Sequence, residues 1–128
     1  MLVRDVMVKE VVTISPFATL REAMSMMKRH NLKSLVVDKH SPSDAYGLIT
    51  YTNIVKTVIA ESGDIDLLNV YDVCAKPALT VGEGLDVRHV SSLMTQHHIK
   101  RILVVSNNDL IGLVTMDDIV DVLLRDIE

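Results

Sequence analysis

The sequence repeats itself, and that repetition limits what the chain can fold into more than any other feature. Val3–Lys33 aligns without a gap on Val70–Lys100, with ten identical positions in register. After a change of spacing, GLITYTNIV at Gly47–Val55 aligns on GLVTMDDIV at Gly112–Val120. The loop Lys39–Tyr46 is longer than its counterpart Asn107–Ile111 and absorbs the shift. Repeats must be recognised before any fold is assigned, and two copies are too few for a solenoid. The chain of 128 residues therefore reads as two small repeats, 1–62 and 63–128, joined through the Gly- and Asp-containing stretch Glu61–Asn69.

Both copies carry the same pattern. Thr19-Leu20-Arg21-Glu22 has the form of a capping box, with Thr19 as N-cap and Glu22 reaching back. Leu20, Ala23, Met24 and Met27 then form one helical stripe. Asp86 caps the equivalent helix, whose stripe is Val87, Val90 and Met94. The runs Leu35–Val37 and Ile102–Val105 read as buried strands, followed by strands Gly47–Thr50 and Gly112–Thr115. A second striped helix closes each copy, through Ile54, Val55, Val58, Ile59 and Ile119, Val120, Leu123, Leu124. Short strands Val12–Ile14 and Leu79–Val81 open them. The fold class is α+β: two β-α-β-β-α repeats, expected to pack with pseudo-two-fold symmetry because a unit this small buries its own faces poorly. Aliphatic surface left over on the second-copy helices predicts a homodimer.

Composition narrows the function. Hydrophobic residues make up 48%, with no Trp and one Phe, so the core is aliphatic. A net charge of −4 and scattered Lys/Arg speak against nucleic acid or an anionic membrane held by charge. The charged N-terminus is no signal-peptide core, and no apolar run is long enough to span a bilayer, so a cytoplasmic location is expected. With a single cysteine, Cys74, no intramolecular disulfide can form. It aligns with Met7, as a small hydrophobe would.

The phrase ending each copy supports two readings. Thr115 followed by Asp118 is a capping-box arrangement that needs no ligand. The same atoms suit a nucleoside: Asp118 can accept two hydrogen bonds from a ribose diol, and a strand turning into a helix offers N–H groups to an anion. Gly112 would let a ligand approach closely, and Lys100 and Arg101 could supply cations or complete a helix end.

Two units of this order, each ending in G-h-h-T-x-x-[DN]-h-h, resemble a tandem pair of cystathionine β-synthase (CBS) domains, a Bateman module. Supporting residues are Thr13-Ile14, Thr80-Val81, His30–Asp38 and His97–Val105. The resemblance covers essentially the whole chain and implies a stand-alone regulatory module, not an enzyme. An adenosyl ligand (AMP, ADP, ATP, S-adenosylmethionine or NAD) would occupy an inter-domain cleft, and a separate effector protein would read the result. No cofactor is required. By the same resemblance Asp118 would hold the ribose hydroxyls and Thr115 would lie near the ribose-phosphate. Thr80 and Val81 would frame adenine, and Lys100 or Arg101 would meet phosphate. The first-copy counterparts are Thr13, Ile14, Lys33, Ser34, Thr50 and Asn53. Asn53 offers one acceptor oxygen where Asp118 offers two, and Ser34 lacks the charge of Arg101, so the second-copy site is expected to be the tighter. The alternative is a ligand-free docking module in which the phrase only caps helices.

Other constellations carry less. Asp117, Asp118 and Asp121 could hold Mg²⁺ beside phosphates, and slow ATP hydrolysis there is a third reading. His30 and His97 stand at matching helix ends, where the dipole alone accounts for histidine. No metal site is expected. Walker, GxGxxG and nucleophile-elbow motifs are missing from the sequence.

Overall fold

The computed structural model describes residues 1–125 and 127, and it divides into two compact units. One comprises Val12–Ala78; the other comprises Met1–Val11 together with Leu79–Glu128.

In the unit Val12–Ala78, β1 (Thr13–Ile14) leads through α2 (Leu20–His30) to β2 (Ser34–Val37) and β3 (Gly47–Thr50). β1 pairs parallel with β2, and β2 antiparallel with β3. Three branched aliphatics in a row make β2 the central strand, with Leu35, Val36 and Val37 all buried. The stripe of α2 faces them: Leu20, Ala23 and Met27 are buried. Thr19 Oγ1 accepts the Glu22 N–H at 3.2 Å, but the return bond from the Glu22 side chain does not form. Instead the helix entrance is tied to an incoming segment: Leu20 N–H donates to Leu68 O, and Val70 N–H to Ala18 O. Asn31, in the left-handed region at φ 53°, ends the helix.

The closing helix departs from expectation. Only α3 (Tyr51–Ile54) is α-helical, and Val55–Ala60 widen into a π-helix. Four β-branched residues among positions 55–59 crowd a regular helix, and the wider turn leaves Val55 and Ile59 exposed.

The other unit repeats the order with β4 (Thr80–Gly82), α5 (Val87–Gln96), β5 (Arg101–Ser106), β6 (Asp109–Thr115) and α6 (Met116–Arg125). Its sheet order is β4-β5-β6, parallel then antiparallel. Asp86 caps α5 by accepting the Arg88 N–H at 2.8 Å. β6 begins at Asp109, three residues earlier than the sequence suggests. Asn107 and Asn108 both hold positive φ (52° and 65°), making a two-residue hairpin that extends the ladder. A β-bulge between Val104 and Val105 absorbs the extra length.

Each unit is completed by a strap that the sequence alignment assigns to the other repeat. α1 (Val3–Val6) opens the first repeat yet folds with residues 79–128; α4 (Val70–Val73) opens the second and folds with residues 12–69. The bonds match position by position. Val3 and Arg4 N–H donate to Leu85 and Glu83 carbonyls, as Val70 and Tyr71 donate to Ala18 and Pro16. Val3 and Val70 are both fully buried. Sequence repeat and compact unit thus partition residues 1–11 and 63–78 differently.

The strap then crosses the last strand. Val8 and Leu113 exchange both backbone hydrogen bonds at 2.9 Å, as do Ala75 and Leu48. A Cβ on Gly112 would stand 2.8 Å from Met7 Sδ and 3.1 Å from Val8 O. One on Gly47 would stand 3.2 Å from Ala75 O and 3.3 Å from Cys74 Sγ. Gly112 therefore makes room for the protein's own strap, which replaces its expected role of admitting a ligand. Burial beside β3 also pushes the half-buried Cys74 thiol above its ordinary pKa.

Overpacking at such a contact costs about 1–3 kcal/mol. Gly112→Ala should lose that much in urea denaturation, and combining it with Met7→Ala should recover part of the loss. Strictly additive losses would mean that Met7 does not lie over Gly112.

Candidate functional site

Each repeat places its Thr-x-x-Asp/Asn phrase where an antiparallel strand becomes a helix. In the C-terminal unit, Thr115 N–H and Thr115 Oγ1 donate to Asp118 Oδ2 at 2.9 and 2.8 Å, and Asp118 N–H donates back to Thr115 Oγ1 at 3.1 Å. In the other unit, Thr50 N–H and Oγ1 donate to Asn53 Oδ1 at 2.8 and 3.1 Å, with a longer return bond of 3.4 Å. Both are complete reciprocal caps, so the local reading of the phrase holds in full. Thr50, Asn53, Thr115 and Asp118 are all half-buried.

The expectation of several outward N–H donors needs correction. Met116 N–H donates to Lys100 O at 2.8 Å and Tyr51 N–H to Lys33 O at 3.1 Å. The third N–H of each helix is held by its own threonine. Only the second residues, Thr52 and Asp117, have N–H groups outside these bonds.

These same bonds tie the backbone of Lys100 and Lys33 to the caps. Lys100 and Lys33 are held by their carbonyls, and both are exposed. Arg101 is the register partner of Thr115 in the β5–β6 ladder, and Ser34 is the partner of Thr50 in β2–β3. Thr80 and Val81 pair with Leu103 and Val104 on the opposite side of β5. Val81 turns its side chain into the core and Thr80 is exposed, on a strand at the edge of its three-stranded sheet. Thr13 and Ile14 stand likewise beside Val36 and Val37, with Ile14 buried. Backbone and polar groups of each predicted set therefore surround one three-stranded sheet.

Three features were not anticipated. The crossing straps are one, although Met7 and Cys74 align and each repeat has a glycine to receive them. An ion-pair cluster holds the long first-copy loop: Asp44 accepts from the His40 N–H at 3.0 Å and from Lys76 Nζ at 2.7 Å. Lys76 holds the Asp44 carboxyl well below the ordinary carboxylate range. A groove of about 580 Å³ opens beside α2 and α3, between Met24, Met27, Ile54 and Ile65, with Arg21 and Lys28 among its walls. None of the predicted residues lines it. Asp66 pairs with Arg21, lowering the carboxyl's pKa and raising the guanidinium's.

Among the described residues, no three His, Cys, Asp or Glu side chains gather as a metal-binding set, and Asp117, Asp118 and Asp121 do not. No helix there is long and apolar enough to cross a membrane.

Comparison with known proteins places this geometry. The CBS domain family profile matches residues 3–60 and 70–125. An uncharacterized protein of Methanopyrus kandleri is 32% identical over 121 residues, covering 94% of this chain and 61% of that protein. The chain thus spans less than two thirds of that relative. A hexameric CBS-CP12 protein from bloom-forming cyanobacteria is 34% identical, with a TM-score of 0.88 over 94% of this chain and 69% of its own. A CBS domain pair solved with 5′-methylthioadenosine and S-adenosyl-L-methionine has a TM-score of 0.83 at 24% identity, covering 96% of this chain and 99% of that one.

Removing a cap side chain costs about 1 kcal/mol. Asp118→Ala should lower stability by that order in denaturant melts. Asp118→Asn should cost clearly less, because Asn53 closes the same cap; equal losses would show that the carboxylate's charge, not its hydrogen bonds, holds the helix start.

Proposed function

The chain belongs to the CBS-domain family, and from that premise we propose that it senses an adenosyl ligand at the cap of its second repeat and signals through a separate protein. The observation that carries the reading is the division of labour within Asp118. Oδ2 is consumed by the cap, and Oδ1 takes part in no hydrogen bond among the described residues. A half-buried anionic oxygen at a strand-to-helix turn is a ready acceptor for ribose hydroxyls. Arg101, opposite Thr115 in the ladder, and Lys100 supply positive charge for a phosphate. β4, the edge strand that carries the exposed Thr80 and the buried Val81, would offer backbone groups to a purine. The structural neighbour solved with 5′-methylthioadenosine and S-adenosyl-L-methionine supports the adenosyl class.

Sensing would proceed by population shift: the ligand stabilises one arrangement of the module, and the effector binds that arrangement better. No catalytic step is assigned to these residues. Self-association as a homodimer is part of the reading. It rests on the exposed apolar residues Tyr51, Val55 and Ile59 on one closing helix, and Val120, Leu123 and Leu124 on the other. Those same residues favour the second reading, a ligand-free docking module.

Calorimetry with AMP separates the readings. Wild type should bind, and Asp118→Ala should weaken binding by about tenfold or more, the loss of a charge-assisted hydrogen bond. AMP at about a hundred times its Kd should stabilise the protein by about 2.7 kcal/mol. An affinity untouched by Asp118→Ala would remove that residue from the site, and no shift with any adenosyl compound would favour docking.

A further inference from the structure

The two caps turn opposite chemistry towards a ligand. In each, a backbone N–H and a threonine hydroxyl converge on one side-chain oxygen. A backbone N–H can only donate, so Asn53 must present its oxygen to Thr50, and its amide orientation is settled by that bond. What remains outside the cap differs in kind. Asp118 keeps a second anionic oxygen, a pure acceptor, whereas Asn53 keeps Nδ2 with two hydrogens, a pure donor. Neither atom takes part in a hydrogen bond among the described residues.

The surrounding charge follows the same division. The first turn of α6 carries Asp117 and Asp118, whereas the first turn of α3 carries no acid because Thr52 and Asn53 stand there. Near the second cap, Lys100 and Arg101 are offset by two carboxylates. At the first, to which Lys33 is joined through its carbonyl, the first turn of the helix contributes none. An anion brought to Asp118 meets like charge; one brought to Asn53 meets a donor and no cap carboxylate.

We propose that the first-copy site takes a nucleotide whose ribose carries a phosphate ester on its 2′ or 3′ oxygen, while the second-copy site takes a free diol. This rests on the adenosyl reading and divides its ligand class between the copies. The physical rule is the one by which a carboxylate beside a ribose selects a free hydroxyl and excludes a phosphate. Asn53 is then the specificity-determining residue, and its replacement of aspartate does more than weaken a diol site: it reverses which partner is welcome.

The test uses the full chain, titrated calorimetrically with AMP, adenosine 2′,5′-bisphosphate and adenosine 3′,5′-bisphosphate. Asn53→Asp preserves the cap, since the second copy is the same cap with aspartate, and its unliganded melting temperature verifies folding. Wild type should bind one of the bisphosphates, and Asn53→Asp should lower that affinity by about tenfold or more, introducing a like charge. Asp118→Asn should raise bisphosphate binding at the second cap. Bisphosphate affinity left within about twofold by Asn53→Asp would overturn the proposal, as would a wild type that binds AMP and neither bisphosphate; in both cases the adenosyl reading stands. If none of the three nucleotides binds, the proposal falls; the adenosyl reading falls with it only if ATP, S-adenosylmethionine and NAD also fail to bind.

Discussion

The strap that crosses a glycine at the start of each repeated phrase is the contact on which the remaining structure depends. Each sheet has only three strands, and a unit of this size is marginal by burial alone. The strap adds a fully buried valine, worth roughly 1.5–3 kcal/mol of apolar transfer, and a pair of backbone hydrogen bonds to the otherwise open side of β3 or β6. A Cβ would crowd the strap at both glycines, at Gly47 against the Ala75 carbonyl oxygen and at Gly112 against Met7 Sδ and the Val8 carbonyl oxygen. Because each strap comes from outside the stretch it completes, neither repeat sequence holds its whole core. The N-terminal eleven residues must find a surface made by residues 79–128.

With the strands so fixed, the threonine that ends each one sits at a set place, and the helix after it starts there. The cap is economical: one oxygen of one side chain satisfies two donors. That economy lets structure and binding share a residue. An aspartate has a spare oxygen and an asparagine a spare amide, so two nearly identical backbones can carry unlike surface chemistry. One such change alters the atom left outside the cap without altering the helix start. The long first-copy loop, pinned by Asp44 to Lys76 and His40, is a second asymmetry added without touching the shared frame.

Much of this was legible in the residues. Offset alignment marked both repeats, the stripes of α2 and α5 named Leu20, Met27, Val90 and Met94 as core, and the threonine phrases marked the caps. Strap placement was not legible, because a buried Val3 satisfies the apolar pattern equally well whichever repeat it packs on. The role of Gly112 followed the same ambiguity: a glycine signals close approach but not by what. Local crowding by β-branched residues, rather than amphipathic period, decided the π-helical turn at Val55–Ala60, which the stripe had read as regular. At Asn107–Asn108 turn chemistry outweighed strand length, since two left-handed residues closed a hairpin where a loop was expected. Lys100 is joined to the cap through its carbonyl and Arg101 through the ladder register, links that the sequence does not display.

The central claim is that the cap carboxylate of the second repeat is also a ribose acceptor. A crystal structure of the chain grown with AMP tests it most directly. The account predicts ribose hydroxyls within hydrogen-bond distance of Asp118 Oδ1, with the Thr115 bonds to Oδ2 unchanged. A ribose bound away from Asp118, or a nucleotide that displaces Thr115 from Oδ2, would contradict it.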